Sequence, residues 1–277
     1  MQLLARKLFG RRIVLGATLT LLAVLLVALA AGPLMGVDPN ETAVSQRLHA
    51  PSGAHWLGTD ELGRDLFARI AYGARYSLTI AALTALGAVA AGTLLGAVAG
   101  FFPRLDGPLM RLVEAMMAFP DILLAIALVG ILGPSMLNVV AALVLVYTPR
   151  VARVVRASTL VVRELPFVEA ARALGAPTPR ILWRHVLPNL VSPITVQGTF
   201  IFAYAILAEA ALSFLGVGVP PEVPTWGTMV AGSQQYAHQA LWIVLFPGLA
   251  IVATALSLQL LGDGIRDLLD PRLRGTM

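Results

Sequence analysis

The 277-residue sequence predicts an all-α integral membrane protein with six transmembrane helices and both termini on the cytoplasmic side. Three observations carry that reading. The chain is 58% hydrophobic and 13% charged, with a mean hydropathy of +0.82, whereas soluble domains carry about 25% charged residues. Several apolar runs reach the roughly 20 residues that a helix needs to cross the hydrocarbon core. Basic residues are also shared unevenly among the segments that join those runs.

Residues 13–35 carry no charge and form the first expected span. A cleaved leader is the alternative, but the uncharged run is longer than a typical signal core, so a retained span is expected. Residues 37–75 come next as an outer segment. Pro39, Pro51 and Gly53 make its start rich in turns. Thr59 suits an N-cap, with Asp60 and Glu61 in the positive first turn of a helix. Leu62, Leu66 and Ile70 then share one face. A short amphipathic helix on the outer membrane surface is expected there. The spacing of Asp60, Glu61 and Asp65 matches no calcium loop, so capping and pairing with Arg64 and Arg69 are expected instead. His55 and Trp56 read as interfacial packing.

The second span covers 77–102. Gly92, Gly96 and Gly100 recur every four residues and let another helix approach closely, within the chain or across a subunit boundary. The third span, 109–132, carries Glu114 and Asp121 towards its start. The fourth, 136–149, is short and is expected to continue into an arginine-rich stretch as a helix leaving the membrane. Residues 190–219 form the fifth span and contain Glu209; residues 241–262 form the sixth. The Gly- and Pro-rich run 216–227 reads as an ordered, non-helical outer loop. Trp226 and Trp242 suit the membrane interface. The chain thus divides into 1–76, a core of five spans over 77–264 with a cytoplasmic loop at 150–189, and a tail at 265–277.

Charge tests the count. With the N-terminus inside, every basic residue except Arg47, Arg64, Arg69 and Arg75 falls on the inner side. Retention of positive charge on the cytoplasmic face predicts that bias. Adding or removing one span would put the N-terminal cluster and the 150–184 arginines on opposite faces.

Composition removes several function classes. The absence of cysteine excludes disulfides, thiolate metal sites and a cysteine nucleophile. The lone lysine, Lys7, comes after no glycine-rich loop, so the chain has no phosphate-binding loop of its own. Four scattered histidines and no acid or histidine one turn from Glu209 argue against a metal site, a proton relay or an intramembrane enzyme. The net charge of +5 fits membrane orientation better than nucleic acid in a chain this apolar.

Glu114, Asp121 and Glu209 are costly at membrane depth and are candidates for a translocation pathway or gate. The alternatives differ. Glu114 and Asp121 flank Phe119-Pro120 and can meet interfacial water or Arg111. Glu209 can serve a purely structural hydrogen bond.

The arginine-rich insert carries the clearest functional signal. Pro166 can start a helix, and 168–174 is a strong helix former. Gly175 fits the C-cap and Pro177 comes shortly after it. A second helix from Pro179 to Val186 is expected to be broken by Leu187-Pro188. Glu169 with Ala170 and Ala171 suits a knob that enters a groove on another protein more than it suits lipid or nucleic acid.

The segment FVEAARALGAPTPRILWRHVLPNL at 167–190 resembles the Glu-Ala-Ala loop of binding-protein-dependent ABC importer permeases, which in that family docks into a cleft of the ATPase. His185 stands where the family pattern has Ile, a departure similar to the peptide and nickel branch. HWLGTDELGRDLFARIAYGARYSL at 55–78, GPLMRLVEAMMAFPDILLAIALVGILGPS at 107–135, AEAALSFLGVGVPPEVPTWGTM at 208–229 and GDGIRDLLDPRLR at 262–274 resemble that branch too. The likeness spans nearly the whole chain after about residue 35 and is most similar to the second, "C"-type permease of dipeptide or oligopeptide importers.

That resemblance implies a type I ABC importer permease fold in a bacterial inner membrane. It implies a homologous "B"-type permease as partner, two ABC ATPase subunits that hold ATP and Mg, and an extracytoplasmic substrate-binding protein. This chain itself would hold no cofactor. Coupling would rest on Glu169, Ala170, Ala171, Arg172, Gly175, His185, Leu187 and Pro188. Glu169 would anchor the loop by charge-assisted hydrogen bonds, Gly175 would permit the turn, and Leu187-Pro188 would set the angle into the fifth span. Nickel import is the alternative within the family. An ATP-independent secondary transporter is the alternative outside it.

Overall fold

The computed structural model describes residues 12–31 and 38–269. Arg6, Lys7 and Arg11, the expected end of the first span at Met35, and the tail from 270 lie outside the described residues. Within them the chain is helical, and the elements track the hydrophobic runs.

Helix α1 (Arg12–Ala30) exposes most of its apolar surface, including Leu15, Leu19, Leu22, Leu26 and Leu29. Such a face suits lipid. Helix α2 (Leu66–Phe101) has 36 residues and so runs about 54 Å, well beyond the roughly 30 Å of a hydrocarbon core. The surface helix and the second span expected separately are therefore one helix. Its cap is Asp65, whose carboxylate accepts from the Ala68 amide at 2.9 Å, and not Thr59. The reason is local. The Asp60 carboxylate accepts from the Leu62 and Arg64 amides, both at 2.9 Å, and Gly63 turns at φ +76°. That side-chain turn competes with helix over 60–65, and Leu62 stays outside α2.

The 109–132 run also differs from expectation. Helix α3 (Pro103–Met117) and helix α4 (Asp121–Leu132) meet at a 90° bend. The residue before a proline avoids helical dihedrals, and Pro120 marks the break. Helix α4 has 12 residues, about 18 Å, and cannot cross a bilayer alone. Helix α5 (Met136–Val162) runs straight through Pro149 into the arginine-rich stretch, as expected.

Beyond the insert come helix α6 (Pro166–Ala173), helix α7 (Thr178–Ile181), helix α8 (Val191–Phe214), helix α9 (Trp226–Ser233) and helix α10 (Trp242–Leu269). The 217–225 stretch is non-helical, and it leads into α9, which the hydrophobic runs do not reveal. Five helical stretches are long and apolar enough to span, or six if the α3–α4 pair counts as one.

Packing centres on α2 and α5, which lie against each other along their length. Gly92, Gly96 and Gly100 face α5. A Cβ on Gly92 would meet Val151 and come within 2.8 Å of the Thr148 carbonyl; one on Gly96 would strike the Ala152 carbonyl. One on Gly100 would lie 2.9 Å from the Arg156 carbonyl. Small residues there let two backbones approach where lipid supplies no hydrophobic drive. The close approach is therefore within the chain. Helix α8 packs on α2 and α10, and α1 on α10 and α2.

Candidate functional site

The α6–α7 hairpin protrudes from one end of the bundle. Pro166 opens α6 at its first position, where its missing N–H costs nothing. Gly175 closes it at φ +74°. The Ala176 amide donates to the Ala171 carbonyl at 3.0 Å and the Gly175 amide to the Arg172 carbonyl at 2.9 Å. These two bonds are the glycine-terminated Schellman closure. Beyond α7 the chain does not break at Leu187-Pro188. It passes through a wide π turn, Leu182–Val186, and a 3-10 turn, Leu187–Leu190, directly into α8. Pro188 has no N–H to place in an α ladder, and the change of hydrogen-bond spacing absorbs it.

The hairpin has two faces. Val168, Ala171, Ile181 and Val186 are buried against the bundle. Glu169, Ala170, Arg172 and Gly175 are exposed, and so are two large apolar side chains, Leu174 at 87% and Trp183 at 73%. His185 is half-buried with its ring 6.3 Å from that of Phe167. The Arg172 guanidinium lies over the Phe101 ring at 5.3 Å, and Arg163 Nη1 donates to the Gly100 carbonyl at 2.7 Å. Both contacts tie the hairpin region to the end of α2.

The three membrane-depth acids part company. Glu114 is exposed on α3, and neither it nor Asp121 pairs with Arg111 among the described residues. Glu209 is 1% exposed. Its Oε1 accepts from Thr225 Oγ at 2.7 Å and from Ser213 Oγ at 2.9 Å. Thr225 in turn caps α9 through a reciprocal pair with Thr228, each amide donating to the other's hydroxyl at 3.0 Å. Trp226 is likewise enclosed, not interfacial. It is 1% exposed, and its Nε1 donates to the Ile70 carbonyl at 3.0 Å.

Asp121 forms an ion pair with Arg150, with about two-fifths of each side chain exposed. Arg150 sits midway along α5, and its guanidinium carbon lies 5.3 Å from the Tyr204 ring and 5.7 Å from the Tyr147 ring. The tyrosine rings are 6.5 Å apart. Asp121 and the two tyrosines border a cleft of about 270 Å³ whose other walls include Ile122, Leu143, Leu207 and Ala208, and Arg150 is held beside it by its pair with Asp121. Arg150, Tyr147 and Tyr204 are not legible as a site from spacing alone. Tyr147 and Arg150 lie an i, i+3 step apart on α5, but Tyr204 and Asp121 come from other helices, and only the fold brings the four together.

At the end opposite the hairpin, Arg64 pairs with Asp60 at 2.6 Å and Glu61 at 2.8 Å, and the buried Arg69 approaches Asp60 at 3.4 Å. His55 joins Asp65 and Gln46, both at 2.8 Å. The charges there serve pairing. No group of three or more His, Asp or Glu suited to a metal ion occurs among the described residues.

Residues 88–275 match the family described as "Binding-protein-dependent transport system inner membrane component". The chain is 45% identical to the dipeptide transport system permease protein DppC of Alkalihalophilus pseudofirmus, over 90% of this chain and 83% of that protein. It is 44% identical to the di/tripeptide transport system permease protein DppC of Pseudomonas aeruginosa, over 94% of this chain and 88% of that protein. A chain of the inward-facing MetNI methionine ABC transporter superposes with a TM-score of 0.59 at 18% identity, covering 73% of this chain and 97% of that one. That likeness concerns the fold alone.

Proposed function

The chain belongs to the family of binding-protein-dependent transport system inner membrane components, and we propose that it is one of two homologous permeases lining the pathway of an ATP-driven importer of di- or oligopeptides. As a member of that family it is a multi-pass protein of the bacterial inner membrane, part of a system that works with a binding protein. The peptide cargo is inferred from the two relatives named for dipeptide and di/tripeptide transport.

The observation that carries the reading is the hairpin. Two large apolar side chains of the hairpin, Leu174 and Trp183, stand exposed. Here they flank Glu169 and Arg172 on a rigid turn whose other face is locked into the bundle. With both termini cytoplasmic, that knob docks on one of two ABC ATPase subunits, which hold ATP and Mg. Glu169 anchors it by charge-assisted hydrogen bonds. Because α7 runs without a break into α8, a push on the knob moves the whole 37-residue stretch Thr178–Phe214. Rocking of packed helices then gives alternating access. An extracytoplasmic binding protein delivers cargo from the opposite side.

The test is direct. Glu169→Lys and Gly175→Asp, assayed in proteoliposomes with the complete transporter, are expected to leave the subunit in the membrane and to cut ATP-driven peptide uptake at least tenfold. Uptake at the unmodified rate in both variants removes the coupling role. Uptake that survives ATP depletion but falls with an uncoupler points to a secondary transporter.

A further inference from the structure

We propose that the Asp121–Arg150 pair, set between Tyr147 and Tyr204 on the cleft beside α4, α5 and α8, is a contact site for the charged termini of a zwitterionic peptide. This rests on the peptide-importer reading above. Arg150 stands where α5 passes from its apolar run into the arginine-rich stretch, and it takes one specific partner, Asp121. Pairing with Asp121 meets the charge but does not account for the exposure. A pair that merely staples α4 to α5 is best placed out of the cleft. Here Asp121 lines the cleft, and both members of the pair stay about two-fifths exposed.

The shape of the cleft fits the same role. Its roughly 270 Å³ lies close to the roughly 300 Å³ at which small-molecule pockets begin. Its walls are apolar apart from Asp121 and the two tyrosines, so polar recognition is concentrated where Asp121 meets Arg150.

Charge supplies the selectivity. A lone buried charge in a pathway would hold a counter-charged cargo or repel a like-charged one. A closed pair does neither until a zwitterion arrives. The ammonium terminus can then take Asp121 while the carboxylate terminus takes Arg150. One ion pair becomes two, and no charge is left unpaired. The tyrosine faces, which lie beside Arg150 at 5.3 and 5.7 Å, offer the ammonium group a second, weaker attraction. A peptide blocked at both termini makes neither exchange.

This chain has no cysteine, so labelling read on it alone reports the introduced thiol. Ala208→Cys places a thiol on the cleft wall. In the assembled transporter in nanodiscs, without the binding protein so that its own selectivity does not enter, the rate of labelling by a thiol reagent is measured with millimolar dipeptide. A slowing of at least threefold by the free dipeptide, absent with the N-acetylated, C-amidated form, is expected. Adding Arg150→Gln should abolish it. Equal slowing by both forms, or none by either, overturns the proposal. A second measurement uses the exchanged pair, Asp121→Arg with Arg150→Asp. A cargo site predicts that uptake stays at least tenfold down; full recovery of uptake means that the pair is only a staple and overturns the proposal. ATP-dependent uptake of the same free dipeptide by the unmodified transporter is the control. Its absence removes the peptide reading, whereas its presence with an unprotected thiol removes only the cleft.

Discussion

Two carboxylates lie within the helical core, and the chain treats them in opposite ways. Glu209 is sealed, 1% exposed, with two hydroxyls on one oxygen. Asp121 is open, lining a cleft and paired with an arginine about two-fifths exposed. Sequence offers both as pathway candidates and separates them only by the alternative, interfacial water or Arg111 for Asp121 and a structural hydrogen bond for Glu209. The difference lies in what the third dimension brings. Glu209 meets Thr225, 16 residues on, because the 217–225 loop folds back and seats α9 against α8. Asp121 meets Arg150 because the 90° bend before α4 turns that helix's first residue towards α5. One acid closes a structure, while the other stays available to a visitor.

The largest expected effect breaks the sealed side. Glu209→Ala leaves the Thr225 and Ser213 hydroxyls without their acceptor inside the bundle. Each orphaned hydroxyl costs roughly 1–3 kcal/mol. The purified transporter should melt several degrees lower and extract in reduced yield. Glu209→Gln keeps an acceptor in place and should recover much of that loss. If Ala and Gln are equally tolerated, Glu209 is not a structural acceptor and the contrast with Asp121 fails.

A smaller effect probes the same closure from its far end. Thr228→Val removes one half of the reciprocal cap on α9 while leaving Thr225 on Glu209. Loss of a capping side chain costs typically about 1 kcal/mol. A thermal shift clearly smaller than that of Glu209→Ala is expected. An equal or larger shift would mean that the cap, not the carboxylate, holds α9 down.

This contrast also shows where sequence reading reaches and where it stops. Span positions can be read from hydropathy because lipid rewards any long apolar helix, and α1, α5, α8 and α10 lie where the runs put them. The Gly92–Gly96–Gly100 face is legible because only small residues allow that approach. The hairpin is legible because Pro166 and Gly175 have few other uses in that pattern. Breaks are harder. Pro120 bends the chain by 90°, Pro149 sits inside an unbroken helix, and Pro188 is absorbed by a π turn. A proline removes one N–H in every case, and neighbouring packing decides whether the helix bends, continues or changes its hydrogen-bond spacing. Arg150 is hidden for another reason: it is the first of a run of arginines on one continuous helix, and only the fold shows that Asp121 is its partner.

The smallest effect on stability, and the most discriminating, belongs to the open side. Arg150→Gln and Asp121→Asn each leave one charge of a pair that is about two-fifths exposed. Water in the cleft can solvate that remaining charge, so the cost should resemble that of an exposed pair, below about 1 kcal/mol. The double variant should then be no more stable than the singles. Uptake should move the other way, falling at least tenfold in every one of them. Stability loss and transport loss would thus rank Glu209 and Asp121 in opposite orders. A drop of several kcal/mol for Arg150→Gln alone, recovered in the double variant, would instead describe a charge stranded in a closed interior. In that case the two acids do the same job at two places, and the cleft has no visitor to receive.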